Sequence, residues 1–303
     1  MKKIILLFAA LAATVTCAFA GPESAAGLSK THYDYRDFSM LSISSAFHVE
    51  LTFADTYSVD VEVPDFLEPY LKVTCLAGKL RIGLANVPRD IQRKLNNQHD
   101  QLHAWVSMPS LSALSMSGAT RLSTTGVPAL ARNQSLSIEM SGASVLENLE
   151  AASNDRMTID LSGASKATLK ADFPVLDIEL SGASKLKLTG DAEKMAVDCS
   201  GASNCQFTGD YQSLRSEISG SSRMDVSGDV RTLVVDCSGS SKAEIDGVVD
   251  KAEVELSGVS KATLSVKERL DYELSGVSTL RFRDLGASVR GEISRGSKIE
   301  YMK

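Results

Sequence analysis

Acidic residues recur at a regular interval in the C-terminal two thirds of this 303-residue chain. Successive acids are 18 to 21 residues apart, and each one immediately precedes an apolar residue and a Ser-Gly type of turn. The nine positions are Glu139, Asp160, Glu179, Asp198, Glu217, Asp236, Glu255, Glu273 and Glu292. Carboxylates held together at such a spacing could collect cations or a basic partner. We therefore take these nine residues as a candidate surface-binding ladder.

Basic residues occur on the other side of the same turn, which leaves two interpretations open. They are Arg121, Lys166, Lys185, Arg223, Lys242, Lys261 and Lys298. Two rows of opposite charge beside one edge could pair around the turn and form a structural unit. Alternatively, the acids remain available to a cation or a basic partner. The G-G-x-G-x-D nonapeptide of calcium-binding repeats is absent, and we predict neither a metal nor a cofactor.

The turn itself is a repeated motif that begins as "MSGAT" at residue 116 and ends as "ISRGS" at residue 293. Ten copies start 18 to 24 residues apart, and a fixed period near 20 residues is typical of a solenoid. Glycine can adopt a positive φ, so the same sharp bend can recur in every copy. The predicted corner glycines are Gly118, Gly142, Gly163, Gly182, Gly201, Gly220, Gly239, Gly258 and Gly276.

The residues on both sides of the motif alternate between apolar and polar. In one copy, Leu176, Ile178 and Leu180 precede the turn and Leu186 and Leu188 follow it. This period of two indicates strands, and a second turn, "TGD" at residues 189–191, leaves no room for a helix. The sequence predicts an all-β fold, a right-handed parallel β-helix (β-solenoid) with about 19 residues per coil.

The domain organisation follows from where the motif is regular. Residues 111–303 are predicted to form the repeat β-helix, and residues 21–110 a less regular N-terminal β region that continues and caps it. The segment "SISSAFHVEL" (42–51) looks like a divergent copy of "EISGSSRMDV" (217–226). Residues 88–101 are polar and do not alternate, which predicts a loop or a short helix.

Residues 1–20 have the pattern of a signal peptide: two lysines, an apolar run, and the small-x-small site Ala18-Phe19-Ala20. An alternative is a lipid anchor on Cys17. No later stretch is long and apolar enough for a membrane helix, so we expect an exported protein that is not integral to a membrane. The periplasm, the outer-membrane surface and secretion all stay open.

Removal of residues 1–20 takes away two lysines and no acid, which changes the formal net charge from −6 to −8. A surplus of negative charge argues against nucleic acid as a partner. Cys199, Cys205 and Cys237 fall on inward-facing positions, and we expect buried free thiols there, with a pairing of Cys199 and Cys205 across one corner left open. Cys75 is the other cysteine of the mature chain.

Catalytic groups do not cluster in the repeats, which contain no histidine. His48, His99 and His103 lie in the N-terminal half at no metal-ligand spacing, so we interpret them as solvated or satisfied side chains. We therefore predict a non-enzyme. The alternative is a polysaccharide-active enzyme, a lyase or a hydrolase on a pectin-lyase-like β-helix, with its site in the irregular half.

The sequence resembles the head GIN domain family of autotransporter adhesin-like proteins, which are secreted by Bacteroides-type bacteria. The resemblance is carried by "FSMLSISSAFHVELTFADTYSVDVEVPDFLEPYLKV" (38–73) and by the S-G-A-S corners. It implies a β-helix and a role in adhesion. We expect a non-catalytic scaffold that displays repeated surface ladders to an unknown cell-surface or envelope ligand, either polysaccharide or protein.

Overall fold

The computed structural model describes residues 27–95, 101–131 and 133–302 and is almost entirely β. The chain forms a β-solenoid of about nine turns with about 19 residues per turn, which confirms the predicted fold class. Each coil contributes one strand to a first sheet and, after a corner, one strand to a second sheet. The right-handed winding stays a prediction. The predicted signal peptide and Cys17 lie outside the described residues.

The first sheet consists of the strands that precede the S-G-A-S corners and their N-terminal counterparts. They are β2 (Met40–Ile43), β5 (Leu71–Leu76), β6 (Lys79–Leu84), β8 (Ala113–Met116), β10 (Leu136–Met140), β12 (Arg156–Leu161), β14 (Val175–Leu180), β16 (Ala192–Cys199), β18 (Tyr211–Ile218), β20 (Val230–Cys237) and β24 (Ser288–Ile293). The long strands β21 (Lys242–Leu256) and β22 (Lys261–Leu274) add their C-terminal halves to it.

The second sheet consists of the strands that follow the corners. They are β1 (Leu28–Tyr33), β3 (His48–Phe53), β4 (Ser58–Pro64), β7 (His103–Met108), β9 (Arg121–Thr125), β11 (Val145–Ala152), β13 (Lys166–Asp172), β15 (Lys185–Thr189), β17 (Asn204–Thr208), β19 (Arg223–Ser227), β23 (Thr279–Asp284) and β25 (Lys298–Tyr301). The N-terminal halves of β21 and β22 complete it.

The N-terminal strands do not stack in chain order. The coil of β2 and β3 lies between β6 and β7 on one side and β8 and β9 on the other. A 3-10 helix (Asp65–Tyr70) and α1 (Arg89–Leu95) connect strands in this region, and α1 falls where a loop or short helix is predicted. Strands β1, β4 and β5 pair antiparallel to their neighbours.

The core is the space between the two sheets, and the alternation in the sequence fills it. Leu176, Ile178 and Leu180 of β14 and Leu186 and Leu188 of β15 are all buried, while the residues between them face outward. Because parallel strands pair in register, each of these buried side chains lies on another buried apolar side chain in the next coil.

A second corner closes each coil on the side opposite the S-G-A-S motif. There the Asp191 carboxylate accepts the N–H of Asp210 at 2.9 Å, and Asp210 accepts the N–H of Asp229 at 2.8 Å. Asp229 in turn accepts the N–H of Val248 at 2.8 Å. These bonds join successive coils, so the "TGD" turns have a structural role.

Candidate functional site

The S-G-A-S corners set the position of the charged residues on either side. All nine predicted corner glycines have a positive φ, between 70° and 82°. In the corner of Gly182, the next residue, Ala183, donates its N–H to the carbonyl oxygen of Gly163 in the preceding coil at 2.7 Å. The buried Ser184 hydroxyl donates to the Ser181 carbonyl within the same corner at 2.8 Å. Each corner therefore stacks directly on the one before it.

This stacking brings all nine predicted acids into one line on the outer face of the first sheet. Each acid is the register partner of the acid in the next coil, and all nine side chains are exposed. The pairs are Glu139–Asp160, Asp160–Glu179, Glu179–Asp198, Asp198–Glu217, Glu217–Asp236, Asp236–Glu255, Glu255–Glu273 and Glu273–Glu292. We call this row the acidic ladder. Adjacent carboxylates stand about 4.8 Å apart at the backbone.

In the described part of the chain, most acids of the acidic ladder have no ion pair. The interpretation that the two charged rows neutralise each other around the corner is therefore wrong. Within the described residues, Glu217 is the one member with an ion pair, to Arg215 of its own strand at 3.0 Å. The acids project from the outer face of the first sheet and the bases from that of the second sheet. Since side chains stand perpendicular to a sheet, the two rows point away from each other.

Two of the seven basic residues, Arg223 and Lys242, have acidic partners on their own sheet. Arg223 contacts Asp225 at 2.8 Å and Glu244 at 3.3 Å, and Lys242 contacts Glu244 at 2.5 Å. The hydrogen bond from Lys242 lowers the pKa of Glu244. The charges around Arg223 and Lys242 are thus locally balanced on the second sheet.

In the row beside the acidic ladder on the first sheet, Asp177 forms an ion pair with Arg156 at 2.7 Å. Between these rows, a depression of about 540 Å³ forms around the small side chain of Ala196, next to Glu179 and Asp198. In the described part of the chain, no three His, Cys, Asp or Glu residues come together in a way that could hold a metal ion. The arrangement presents a line of negative charge that a long cationic partner could follow.

The cysteines differ from the expectation of free thiols. Cys199 and Cys205 form a disulfide across one corner, which is the pairing that the sequence left open beside the expectation of free thiols. Cys199 ends β16 and Cys205 lies in β17, and both side chains point into the same core layer, which brings them together. Cys237 is a buried free thiol, as expected, and Cys75 is free and half-buried.

We expect native thiol labelling to modify Cys75 and leave Cys237 unmodified. Burial raises the pKa of the Cys237 thiol to about 11, so little reactive thiolate exists at neutral pH and the reagent has no access. Burial also raises the pKa of Cys75, but its side chain reaches solvent. Peptide mass spectrometry after alkylation would test this. Labelling of Cys237 without denaturant would contradict it.

The structure brings together two of the three histidines that the sequence left apart. The rings of His48 and His103 contact edge to face, with centroids 5.6 Å apart. His99 lies outside the described residues. Parallel pairing of β3 and β7, which the sequence spacing does not indicate, makes these histidines direct neighbours.

A single chain wound into two stacked parallel sheets defines this protein as a β-solenoid that carries charged ladders on its outer faces. The chain belongs to the family described as "Putative auto-transporter adhesin, head GIN domain", whose model matches residues 37–209 and 201–283. The family resemblance is thereby confirmed. Membership of this family indicates an adhesin-like protein.

Solved structures similar to this chain cover nearly all of it at low identity. A structure described as "a putative adhesin" from Parabacteroides merdae is 14% identical with a TM-score of 0.44, covering 91% of this chain and 96% of that chain. One described as "putative adhesin" from Parabacteroides distasonis is 15% identical with a TM-score of 0.47, covering 91% and 97%. One described as "Putative lipid binding protein", also from P. distasonis, is 14% identical with a TM-score of 0.41, covering 91% and 97%. No curated protein matches the sequence significantly.

In residues 27–95, 101–131 and 133–302, none of the helices has the length and apolar character needed to cross a bilayer.

Proposed function

We propose that this protein is a non-catalytic, exported binding scaffold of the cell envelope that holds its partner along the acidic ladder. Its membership of an adhesin-like family supports a binding role. The partner chemistry that fits is a chain with basic groups at repeated intervals, on a protein or on an amino-substituted polysaccharide. Equal coils offer equal contacts, so many weak contacts add up along the solenoid.

The observation that carries this proposal is the lack of local neutralisation. Glu217 is the one acid of the ladder with an ion pair in the described ranges, whereas the neighbouring Asp177 is paired with Arg156. Like charges directly opposite each other on adjacent strands are destabilising. The acids of the ladder repel each other in eight successive strand pairings, which lowers the stability of the free protein. Binding of a cationic partner would relieve this repulsion.

We expect neutralisation of the ladder to stabilise the free protein. The triple variant Glu179→Gln, Asp198→Asn and Glu255→Gln should raise the melting temperature, with a gain in unfolding free energy of roughly 0.5–2 kcal/mol. The gain should shrink as salt screens the repulsion. The matched control is Asp177→Asn, which breaks an ion pair on the same face and should give no gain. A triple variant that melts no higher than the native protein at low salt would contradict the prediction.

Binding can be tested with lysine oligomers of increasing length as the probe. The affinity of the native protein should rise steeply with oligomer length and fall with salt, because longer oligomers contact more coils. The triple variant should lose most of this affinity, while Asp177→Asn should keep it. Equal binding by the triple variant would overturn the acidic ladder as the binding surface.

Calcium provides a second arm of the same test. If the partner is a cationic chain, millimolar calcium should leave the melting temperature of the native protein nearly unchanged. A clear rise that the triple variant lacks would assign the ladder to calcium instead.

Protease shaving of intact cells would test surface location. If the protein is on the surface, the protease should release fragments of the solenoid from intact cells.

A further inference from the structure

Aromatic and imidazole side chains gather at one place on the outer face of the second sheet, near its N-terminal end. Trp105, the only tryptophan of the chain, lies there on β7 and is half-buried. The His103 ring stacks beside it, with centroids 5.8 Å apart and an interplanar angle of 16°. His48 contacts His103 in turn, and the exposed Lys30 places its Nζ 4.2 Å from the Trp105 ring centroid.

Polar groups of both signs surround these rings. In the sheet register, Glu50 of β3 is opposite Trp105 on one side and Ser123 of β9 on the other. Arg121 is opposite His48 in the same pair of strands. A depression of about 220 Å³ lies among His48, Glu50, Arg121 and their neighbour Glu147. We call Lys30, His48, Glu50, His103, Trp105 and Arg121 the Trp105 patch.

We propose that the Trp105 patch is a binding site for a neutral polysaccharide, with one sugar ring against the Trp105 indole and an adjoining ring in the depression, which is lined by His48, His103, Glu50 and Arg121 and lies next to Trp105 across Glu50. The negative face of an indole attracts the partly positive C–H groups of a sugar ring. The hydroxyls of a sugar both donate and accept, so they satisfy the Glu50 carboxylate and the Arg121 guanidinium at once. The Lys30 ammonium, on a long exposed side chain, can move from the indole face and donate to a ring hydroxyl.

The size and charge of the patch select this class of ligand. A depression of about 220 Å³ is smaller than sites for drug-sized molecules, which occupy roughly 300–1,000 Å³, and suits one ring of a longer chain. Glu50 and Glu147 would repel the phosphates of a nucleic acid.

This site is separate from the one proposed above. The acidic ladder runs along the first sheet, whereas the Trp105 patch lies on the outer face of the second. The inference therefore goes beyond the proposed function, and each can fail while the other holds.

The position of Trp105 allows a direct test, because tryptophan fluorescence of the whole protein reports this site alone. We would titrate the purified protein with dextran, mannan, a neutral galactan and anionic polygalacturonate. At least one neutral polymer should change the emission and saturate, and polygalacturonate should not. No change with any of the three neutral polymers, or a change with polygalacturonate alone, would overturn the proposal.

Variants then establish which residues bind. By calorimetry with the responding polymer, Trp105→Ala and Glu50→Gln should each weaken binding roughly tenfold or more, because each removes one of the main contacts. Gln206→Ala, on the outer face of the same sheet, is the matched control and should bind like the native protein. Melting curves would show that Glu50→Gln is folded. Native affinity in both patch variants would overturn the site.

Two further measurements keep this inference distinct from the proposed function. The triple variant of the acidic ladder should bind the polysaccharide with native affinity, and a loss there would contradict a separate site. The number of reducing ends of the polymer, which would rise if the protein cleaved it, should not increase during incubation. An increase that Trp105→Ala abolishes would overturn the non-catalytic role and at the same time support polysaccharide binding at the patch.

Discussion

Gly182→Val is expected to lower the free energy of unfolding by roughly 3–5 kcal/mol, which combines the strain of a positive φ with overpacking. Gly182 has φ +71°, where a β-branched residue is poorly tolerated. A Cβ atom at this position would also lie 2.5 Å from the carbonyl oxygen of Gly163 in the preceding coil. That oxygen is backbone and accepts the hydrogen bond from Ala183, so it cannot move aside without breaking the stack. Urea unfolding would measure the loss.

The neighbouring position supplies a matched control. Ala183→Val introduces the same side chain one residue later, where two other corners already carry the exposed Val259 and Val277. We expect its unfolding free energy to stay within about 0.5 kcal/mol of the native value, as for most surface substitutions. If both variants lost the same stability, the added bulk would be responsible, and the glycine conformation would not be the cause.

Loss of the disulfide between Cys199 and Cys205 is expected to have the second-largest effect. Cys205→Ser should cost roughly 2–5 kcal/mol, the usual range for removal of a native disulfide. About 2 kcal/mol of this reflects the loop that the bond closes in the unfolded chain, which the sequence separation of six residues keeps short. The remainder comes from a hydroxyl and a free thiol left in the core.

Cys237→Ser separates these two contributions. Cys237 is equally buried, so this variant also places a hydroxyl in the core, but it breaks no disulfide. The difference in stability between the two variants should therefore be close to the loop term. Intact-mass analysis with and without reduction gives an independent check. Alkylation of Cys199 and Cys205 in unfolded protein that has not been reduced would show that the disulfide is absent.

The candidate site was predictable from sequence to the extent that it depends on a repeat. In-register stacking converts a spacing of about 19 residues into a ladder, so the alignment of Glu179 with Asp198 follows from the period. The two sheets turn away from each other at the corner, and this geometry decides which face carries the ladder. It also decides that the acids do not pair with the basic residues. Local spacing does not contain that information.

The Trp105 patch had a weaker signal in the sequence. An isolated tryptophan close to two histidines, His99 and His103, is a compositional hint, since the repeats contain neither residue type. Trp105 and Glu50 are 55 residues apart, and only the parallel pairing of β7 with β3 makes them neighbours.

By itself, the sequence determined the β-solenoid, its period and the use of glycine at the corners, because each of these is a local choice repeated many times. Tertiary structure alone decided three features: the insertion of the β2–β3 coil between later strands, the disulfide across one corner, and the meeting of His48 with His103. The physical reason is that each of these contacts depends on how two segments pack against each other in the folded chain. Their energy depends on partners that lie far away in the chain or across a turn, where neither propensity nor period has any influence.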